Sequence, residues 1–442
     1  MLKLVLGRSG SGKTTTLREL VRQSLREDRE RPVFLIVPEQ ASFENERAML
    51  SLLGAEDAQL VHVLSFSRLA DEAFRLYGGG AGRRLDDGGR SMFMSLALSA
   101  VQDRLDFYRR SAAGGELVSL MLAISSELKL CAVSPATLAE AAGRMPEGAL
   151  SRKLREVSLI LSAYDAMVAQ SYLDPLDDLT RALPLLREHG FFRGALVAVD
   201  SFTAFTVQQY AILRVILEQS EEMAVSLCAD SLDDPDDGVG LFSLVKRTAR
   251  QLRVLAREIG VSVAAPVVLP PGARFACEGL RGLEENLYHA RRQSFPGTDC
   301  ATVYRASGVY EEAAFVASSI RRLVMEEGYR YGDFAVIARN ADTYAGVLDR
   351  ALDAREIPYF MDQPAAIESE PLMRFVLAAL QTVRTGFRTD ELLLCLKTGL
   401  AGLDTEEIAR LENYAFLWNV SGRTWREEWT AHPRGFEEEW TE

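Results

Sequence analysis

The stretch LGRSGSGKTTTL, Leu6 to Leu17, decides the fold. Inside it, Gly7-Arg8-Ser9-Gly10-Ser11-Gly12-Lys13-Thr14 satisfies every fixed position of G-x-x-x-x-G-K-[ST]. The residues before it, LKLVL, read as a short buried strand. The apolar residues after it, Leu17, Leu20, Val21 and Leu25, recur at helical spacing. Strand, glycine-rich loop and helix in that order make a phosphate cradle. Glycines let backbone N–H groups turn inward, and the helix N-terminus adds partial positive charge. Lys13 is expected at the β- and γ-phosphates, and the Thr14 hydroxyl on Mg²⁺. The expected ligand is therefore ATP with Mg²⁺. A Gly/Ser-rich turn that merely contained Lys-Thr would not bring this flanking pattern.

Working outward, VFLIV (33–37) is a β-branched buried strand followed by PEQASFENERAML. In an open parallel sheet, ligands sit at the carboxyl ends of strands. Glu39 and Gln40 are thus either near the nucleotide or part of a polar loop, with Ser42 capping the next helix. The stretch QLVHVLSFSRLA gives another strand (60–64) that runs into Ser65 and Ser67, each either a helix cap or a substrate contact. Residues 1–90 form the first part of a P-loop RecA-like parallel-sheet domain. Residues 91–185 are helical by apolar spacing and read as an insertion, entered through the glycine-rich GGGAGRRLDDGG. The strand pattern returns over 186–275. There ALVAVD ends on Asp200, the carboxylate a P-loop fold needs for the Mg²⁺ water shell, and MAVSLCAD is a further strand. A β-α-β-α-β run over 276–365 (ATVYRAS, DFAVIARN and IPYFM as strands) reads as a second RecA-like α/β domain. Arg339 ends its second strand, either facing an inter-domain cleft and a γ-phosphate or in a solvated loop. Residues 366–442 read as a helical segment that starts a further insertion. All four tryptophans, Trp418, Trp425, Trp429 and Trp440, fall there, among acidic neighbours that favour helix packing over base stacking.

The chain has 442 residues, 48% of them hydrophobic, enough for two or more cores. Its net charge of −13 and pI of about 5.1 exclude a generally basic nucleic-acid coat and leave room for a local basic groove. The five cysteines contain no C-x-x-C pair, which fits reduced thiols and offers no zinc or iron–sulfur site. No early stretch has the layout of a secretion signal, and no apolar run reaches the roughly 18 residues of a membrane span. A cytoplasmic location without membrane contact is the expectation.

The order of these parts is that of UvrD-like helicases, and the local wording is nearer to one branch. VPEQASFENERAML, HVLSFSRLA, VAVDSFTAFTVQQ, EGYRYGDFAVIARNADTY, IPYFMD and RLENYAFLWNVSGRTW resemble the B subunits (AddB) of bacterial AddAB helicase–nucleases, in order and along essentially the whole chain. The resemblance implies a role in processing DNA double-strand break ends for recombinational repair, regulated at a short sequence called Chi. It also implies an AddA-like partner subunit in a heterodimer, and single-stranded DNA and duplex ends as substrates. Gly7 to Thr14 match the family's ATP loop, Asp200 its metal-binding acid and Arg339 its γ-phosphate arginine. Ser65 and Ser67 match the strand–loop that contacts single-stranded DNA.

The departures carry weight. Motors of this type follow the acid with Glu, the base that activates water, whereas this chain has Ser201, which is no useful base near neutral pH. No catalytic residue is therefore assigned, and ATP turnover by this chain is expected to be weak. The later helicase motifs, the nuclease motif and the cluster cysteines have no counterpart. An iron–sulfur cluster is expected only of a full-length form. The chain thus corresponds to the N-terminal part of such a subunit, as a fragment or a truncated gene product. Two alternatives are an autonomous ATP-dependent DNA helicase, opposed by Ser201, and a nucleotide-independent DNA-binding scaffold, opposed by the intact loop.

Overall fold

Runs of aliphatic and β-branched residues build the centre of the molecule. The computed structural model describes residues 1–109, 115–232, 240–288, 300–361, 367–432 and 435. They divide into two units, Met1–Thr302 and Val303–Glu442. In the first unit, β1 (Leu2–Leu6), β2 (Val33–Ile36), β3 (Val61–Leu64), β6 (Leu196–Val199), β7 (Glu222–Leu227) and β8 (Val267–Val268) form one sheet of order β3-β2-β6-β7-β1-β8. Every pairing in it is parallel. Two further strands, β4 (Arg83–Arg84) and β5 (Tyr172–Leu173), pair only with each other.

Side chains alternate along each strand, so one sheet supplies two apolar faces. Leu2, Leu4 and Leu6 of β1, Phe34 and Ile36 of β2, and Val197 and Val199 of β6 point into one core. Val5, Leu35, Val63 and Ala198 point into the other. The second core is closed by Leu17, Val21 and Leu25 of α1 (Lys13–Glu27) and Met49 of α2 (Ser42–Ala58). The first is closed by α3 (Phe66–Tyr77) and by helices later in the chain. Two covered faces explain why these strands read as unbroken apolar runs rather than as alternating ones. The expected Ser42 cap does not form: Ser42 is the first residue of α2, and its buried hydroxyl has no hydrogen-bond partner among the described residues.

The insertion is a helical body of α4 (Asp87–Val101), α5 (Gly115–Leu130), α6 (Pro135–Arg144) and α7 (Ala149–Val168). It has its own core around Met94, Leu98, Met121, Ile160 and Tyr164. The β4–β5 ladder, with Arg83 opposite Tyr172 and Arg84 opposite Leu173, ties its entrance to its exit. α8 (Asp178–Glu188) belongs to the sheet, since Ala182 and Leu186 pack into the same core as β1. The expected boundaries at 90 and 185 thus fall inside α4 and α8. α9 (Val207–Gln219) and α10 (Ser243–Glu258) cover the same face, and α11 (Glu278–Asn286) follows β8. Among the described residues no single helix is long and apolar enough to cross a membrane.

The second unit holds α12 (Val309–Glu327), α13 (Leu348–Asp353), α14 (Pro371–Arg384), α15 (Thr389–Leu396) and α16 (Thr405–Leu417). Here the strand expectation is corrected. Among the described residues of this unit, ATVYRAS, DFAVIARN and IPYFM form no strand. An apolar run becomes a strand only when a neighbour takes its N–H and C=O groups. These segments have none, and Val303, Ile337 and Phe360 are 97%, 93% and 89% exposed. Residues 334–338 and 357–361 instead line a cavity of about 840 Å³ beside α13. Three tryptophans pack within the unit: the indole N–H of Trp418 donates to the His432 carbonyl at 3.0 Å, Trp429 stacks on Tyr414, and Trp425 meets the Trp429 ring edge to face. Trp440 lies outside the described residues.

Candidate nucleotide site

Because all six strands of the main sheet are parallel, their carboxyl ends share one edge. β1 ends there in Gly7–Gly12, and α1 starts at Lys13. The loop needs its glycines for definite reasons. Gly10 and Gly12 have φ of 73° and 91°, which L side chains rarely adopt. A Cβ on Gly7 would come within 2.2 Å of the Ser11 hydroxyl oxygen. The Lys13 ammonium donates to the carbonyls of Gly7 and Arg8, both at 2.8 Å. Two of its three protons are thereby used to hold it at the mouth of the loop, leaving one for a phosphate. A cavity of about 330 Å³ opens over Gly10, Gly12, Lys13, Thr14 and Thr15, bounded on the far side by Ala273 and Arg274.

Asp200 follows β6, and a single strand, β7, separates β6 from β1. Its backbone N–H donates to the Ile36 carbonyl at 2.9 Å, which fixes the turn. The residue is 2% exposed. One carboxylate oxygen accepts from the Ser226 hydroxyl on β7, and the other is buried without a hydrogen-bond partner among the described residues. Burying a carboxylate oxygen is costly unless something compensates it. A divalent cation, or water held by one, is the compensation this chemistry favours. The donor set of the Thr14 hydroxyl and the Asp200 carboxylate thus fits Mg²⁺, and the glycine cradle with Lys13 fits a triphosphate. The next residue, Ser201, has φ of 66°, a strained value for a side-chain-bearing residue, and it is exposed.

The remaining expected site residues are spread more widely. The Arg8 guanidinium is turned out of the cradle, bonded to both carboxylate oxygens of Glu284 at 3.1 and 3.2 Å and to its carbonyl at 2.7 Å. Ser9 is exposed at the loop tip and Ser11 is buried under it. Ser65 caps α3, its hydroxyl accepting the Arg68 N–H at 3.2 Å, and is 2% exposed; Ser67 is exposed on the first turn. Glu39 and Gln40 are exposed in a short 3-10 turn at the end of β2. Arg339 is exposed in the second unit.

Three participants escape a reading of the sequence by motif. Ser226 had a signal, a lone hydroxyl inside the apolar strand MAVSL. Glu284 and Arg274 had none, since they reach the loop from more than 260 residues away in sequence. A fourth feature lies on α10. Lys246, Arg250, Arg253 and Arg257, at helical spacing, line a groove of about 140 Å³ with Leu232, Ala249 and Val254, and no carboxylate among the described residues lines it.

Comparisons with known proteins agree with this geometry. The sequence model of the family described as "ADDB, N-terminal" matches residues 4–284. Among curated proteins, the chain is similar to the B subunit of the ATP-dependent helicase/deoxyribonuclease of Acetivibrio thermocellus, at 30% identity over 98% of this chain and 38% of that protein. The identically named proteins of Desulforudis audaxviator and Caldanaerobacter subterraneus are 32% and 29% identical over 97% of this chain. The chain spans 38% and 37% of their lengths.

Proposed function

The chain belongs to the ADDB N-terminal family, and on that premise we propose that it serves as the ATP-binding, DNA-engaging N-terminal region of AddB in an AddAB-type helicase–nuclease. The observation that carries this reading is the complete P-loop on the same sheet edge as a buried Asp200 with one uncompensated carboxylate oxygen. The P-loop N–H groups and Lys13 bind the phosphates. Thr14 and Asp200 hold Mg²⁺, which when bound neutralises phosphate charge. No residue after Asp200 removes a proton from water, because Ser201 stands where a base would. The chain therefore grips ATP and turns it over slowly at best.

The name shared by the relatives supports an AddA-like partner subunit and DNA break ends as the substrate. Regulation at Chi belongs to the same reading. The groove along α10 supports DNA contact: it is a cationic track on a chain whose net charge is −13. Contacts of that kind release counterions, so affinity for single-stranded DNA falls steeply with salt.

The test is equilibrium ATP binding with and without Mg²⁺. The wild-type chain binds, and Lys13→Ala loses binding by about a hundredfold or more, equivalent to roughly 2.8 kcal/mol. DNA-stimulated turnover and strand displacement by this chain alone would favour an autonomous helicase. DNA binding with no ATP binding would favour the scaffold.

A further inference from the structure

The P-loop is covered from an unexpected direction. β8 lies beside β1, and the ladder runs one step past it, where the Leu269 N–H donates to the Leu6 carbonyl at 2.8 Å. The chain therefore leaves the sheet directly above the start of the loop. Pro270 and Pro271 stiffen it, and Gly272, at φ of 84°, turns it. The Arg274 N–H then donates to the Gly10 carbonyl at 2.9 Å. A Cβ on Gly10 would meet the Arg274 Cβ at 3.0 Å and the Phe275 ring at 3.3 Å. Gly10 is thus glycine both for its own backbone and for what lies on it. α11 completes the strap, and its Glu284 holds Arg8 at 3.1 Å. Arg8 also sits 3.8 Å from Asp230 and over the Phe242 ring. One residue of the P-loop motif is therefore spent on clipping the strap.

This arrangement puts a second cation at the cradle. Arg274 is exposed, lines the cavity with Lys13, and forms no ion pair among the described residues. Two cations facing one cavity without a carboxylate repel each other until a polyanion arrives. An arginine fork suits phosphate oxygens because it presents two parallel donors. The cavity runs along Thr14 and Thr15, the first turn of α1, where the inner phosphates of a P-loop nucleotide lie.

We propose that Arg274 is a ligand of the inner phosphates of the bound nucleotide, carried to the P-loop on a strap that the Arg8–Glu284 ion pair locks in place. The assignment rests on the ATP-binding reading above. It makes residues 269–286 part of the nucleotide site rather than a linker after the sheet.

The experiment compares binding of ATP and ADP by the wild-type chain, Arg274→Ala, Arg274→Lys, Glu284→Gln and Lys13→Ala, with unfolding midpoints measured in parallel without nucleotide. Arg274→Ala weakens ATP and ADP alike by roughly tenfold, the effect of one charge-assisted contact, and leaves the midpoint unchanged. Arg274→Lys restores part of the loss. Glu284→Gln weakens both nucleotides less than Arg274→Ala does. If Arg274→Ala binds like the wild type while Lys13→Ala does not, the arginine has no such role and the P-loop reading stands. A loss confined to ATP overturns the inner-phosphate assignment. Absence of binding by the wild-type chain overturns the role and the reading together.

Discussion

Asp200 at the sheet edge and Glu156 in the helical insertion are both buried acids, 2% and 8% exposed, and their surroundings are opposite. Glu156 accepts the N–H groups of Asp106 and Phe107 on one oxygen, at 3.1 and 2.9 Å, and that of Tyr108 on the other at 3.1 Å. Nearby, the Asp174 carboxylate takes Lys129 at 3.0 Å, the Tyr164 hydroxyl at 3.2 Å and the Leu176 N–H at 3.1 Å. In the insertion, both of these buried carboxylates are answered by this chain. At the sheet edge Asp200 is answered on one oxygen only. A satisfied buried acid is a structural clamp, and a half-satisfied one is waiting for something from outside. The difference separates the part of the molecule that holds a shape from the part that holds a ligand.

The largest expected effect breaks the clamp. Glu156→Ala leaves three backbone donors without their acceptor and costs about 2–3 kcal/mol, less than a full desolvation penalty at each because water reaches that loop. Glu156→Gln keeps one acceptor oxygen and recovers about half. Denaturant unfolding measures both, and neither change alters ATP affinity. The corresponding change at the edge does the reverse. Asp200→Asn leaves stability unchanged within about 0.5 kcal/mol. It removes the Mg²⁺-dependent part of ATP affinity, a loss of roughly tenfold or about 1.4 kcal/mol. Titration with and without chelator reads it, and an undiminished Mg²⁺ dependence would remove Asp200 from the metal site.

Much of the sheet edge was legible in the sequence. The P-loop is a contiguous pattern, and Asp200 stands out because an apolar strand stops on it. The four-residue strands β2 and β6 are apolar on both faces, the mark of a covered parallel sheet. The second unit shows the limit of that signal. DFAVIARN carries the same apolar run as VFLIV, yet only the latter finds neighbours, in β3 and β6. Pairing is a property of what lies alongside, which a local run does not encode. The satisfied carboxylates were illegible for the same reason: Glu156 meets its donors about 50 residues away, and Lys129 reaches Asp174 across 45. Arg274 and Glu284 belong to the same class at longer range.

Tyr164 offers a smaller test of the clamp side. Burial, and after it the neighbouring Asp174 carboxylate, push its phenol up to about 12 from the ordinary 10. Between those values the unfolded chain releases the proton and the folded chain keeps it. The unfolded state then binds fewer protons, and stability falls as pH rises from 10 toward 12. Tyr164→Phe removes that portion of the pH dependence. Near neutral pH it costs about 1 kcal/mol for the lost bond to Asp174, on which Lys129 and the Leu176 N–H remain. Urea unfolding at about pH 8 and about pH 11, on either side of the ordinary phenol range, reads the difference between the two proteins.

The smallest expected effect lies on the ligand side and has the opposite sign. Ser201 is held at φ of 66° immediately after Asp200. A side chain in that conformation is strained, and glycine adopts it without a clash while losing more freedom on folding. Ser201→Gly therefore gains about 0.5 kcal/mol of stability, the net of the two terms. Ala132, also at positive φ but in the insertion's turn after α5, provides the control, and Ala132→Gly gains a similar amount. What distinguishes the two positions is the nucleotide readout. Ser201→Gly loosens the turn that aims the unsatisfied Asp200 oxygen and weakens Mg²⁺–ATP binding by a small factor, whereas Ala132→Gly leaves it untouched. Equal binding by both variants would mean that the strain at Ser201 belongs to the chain path alone and does not aim the acid.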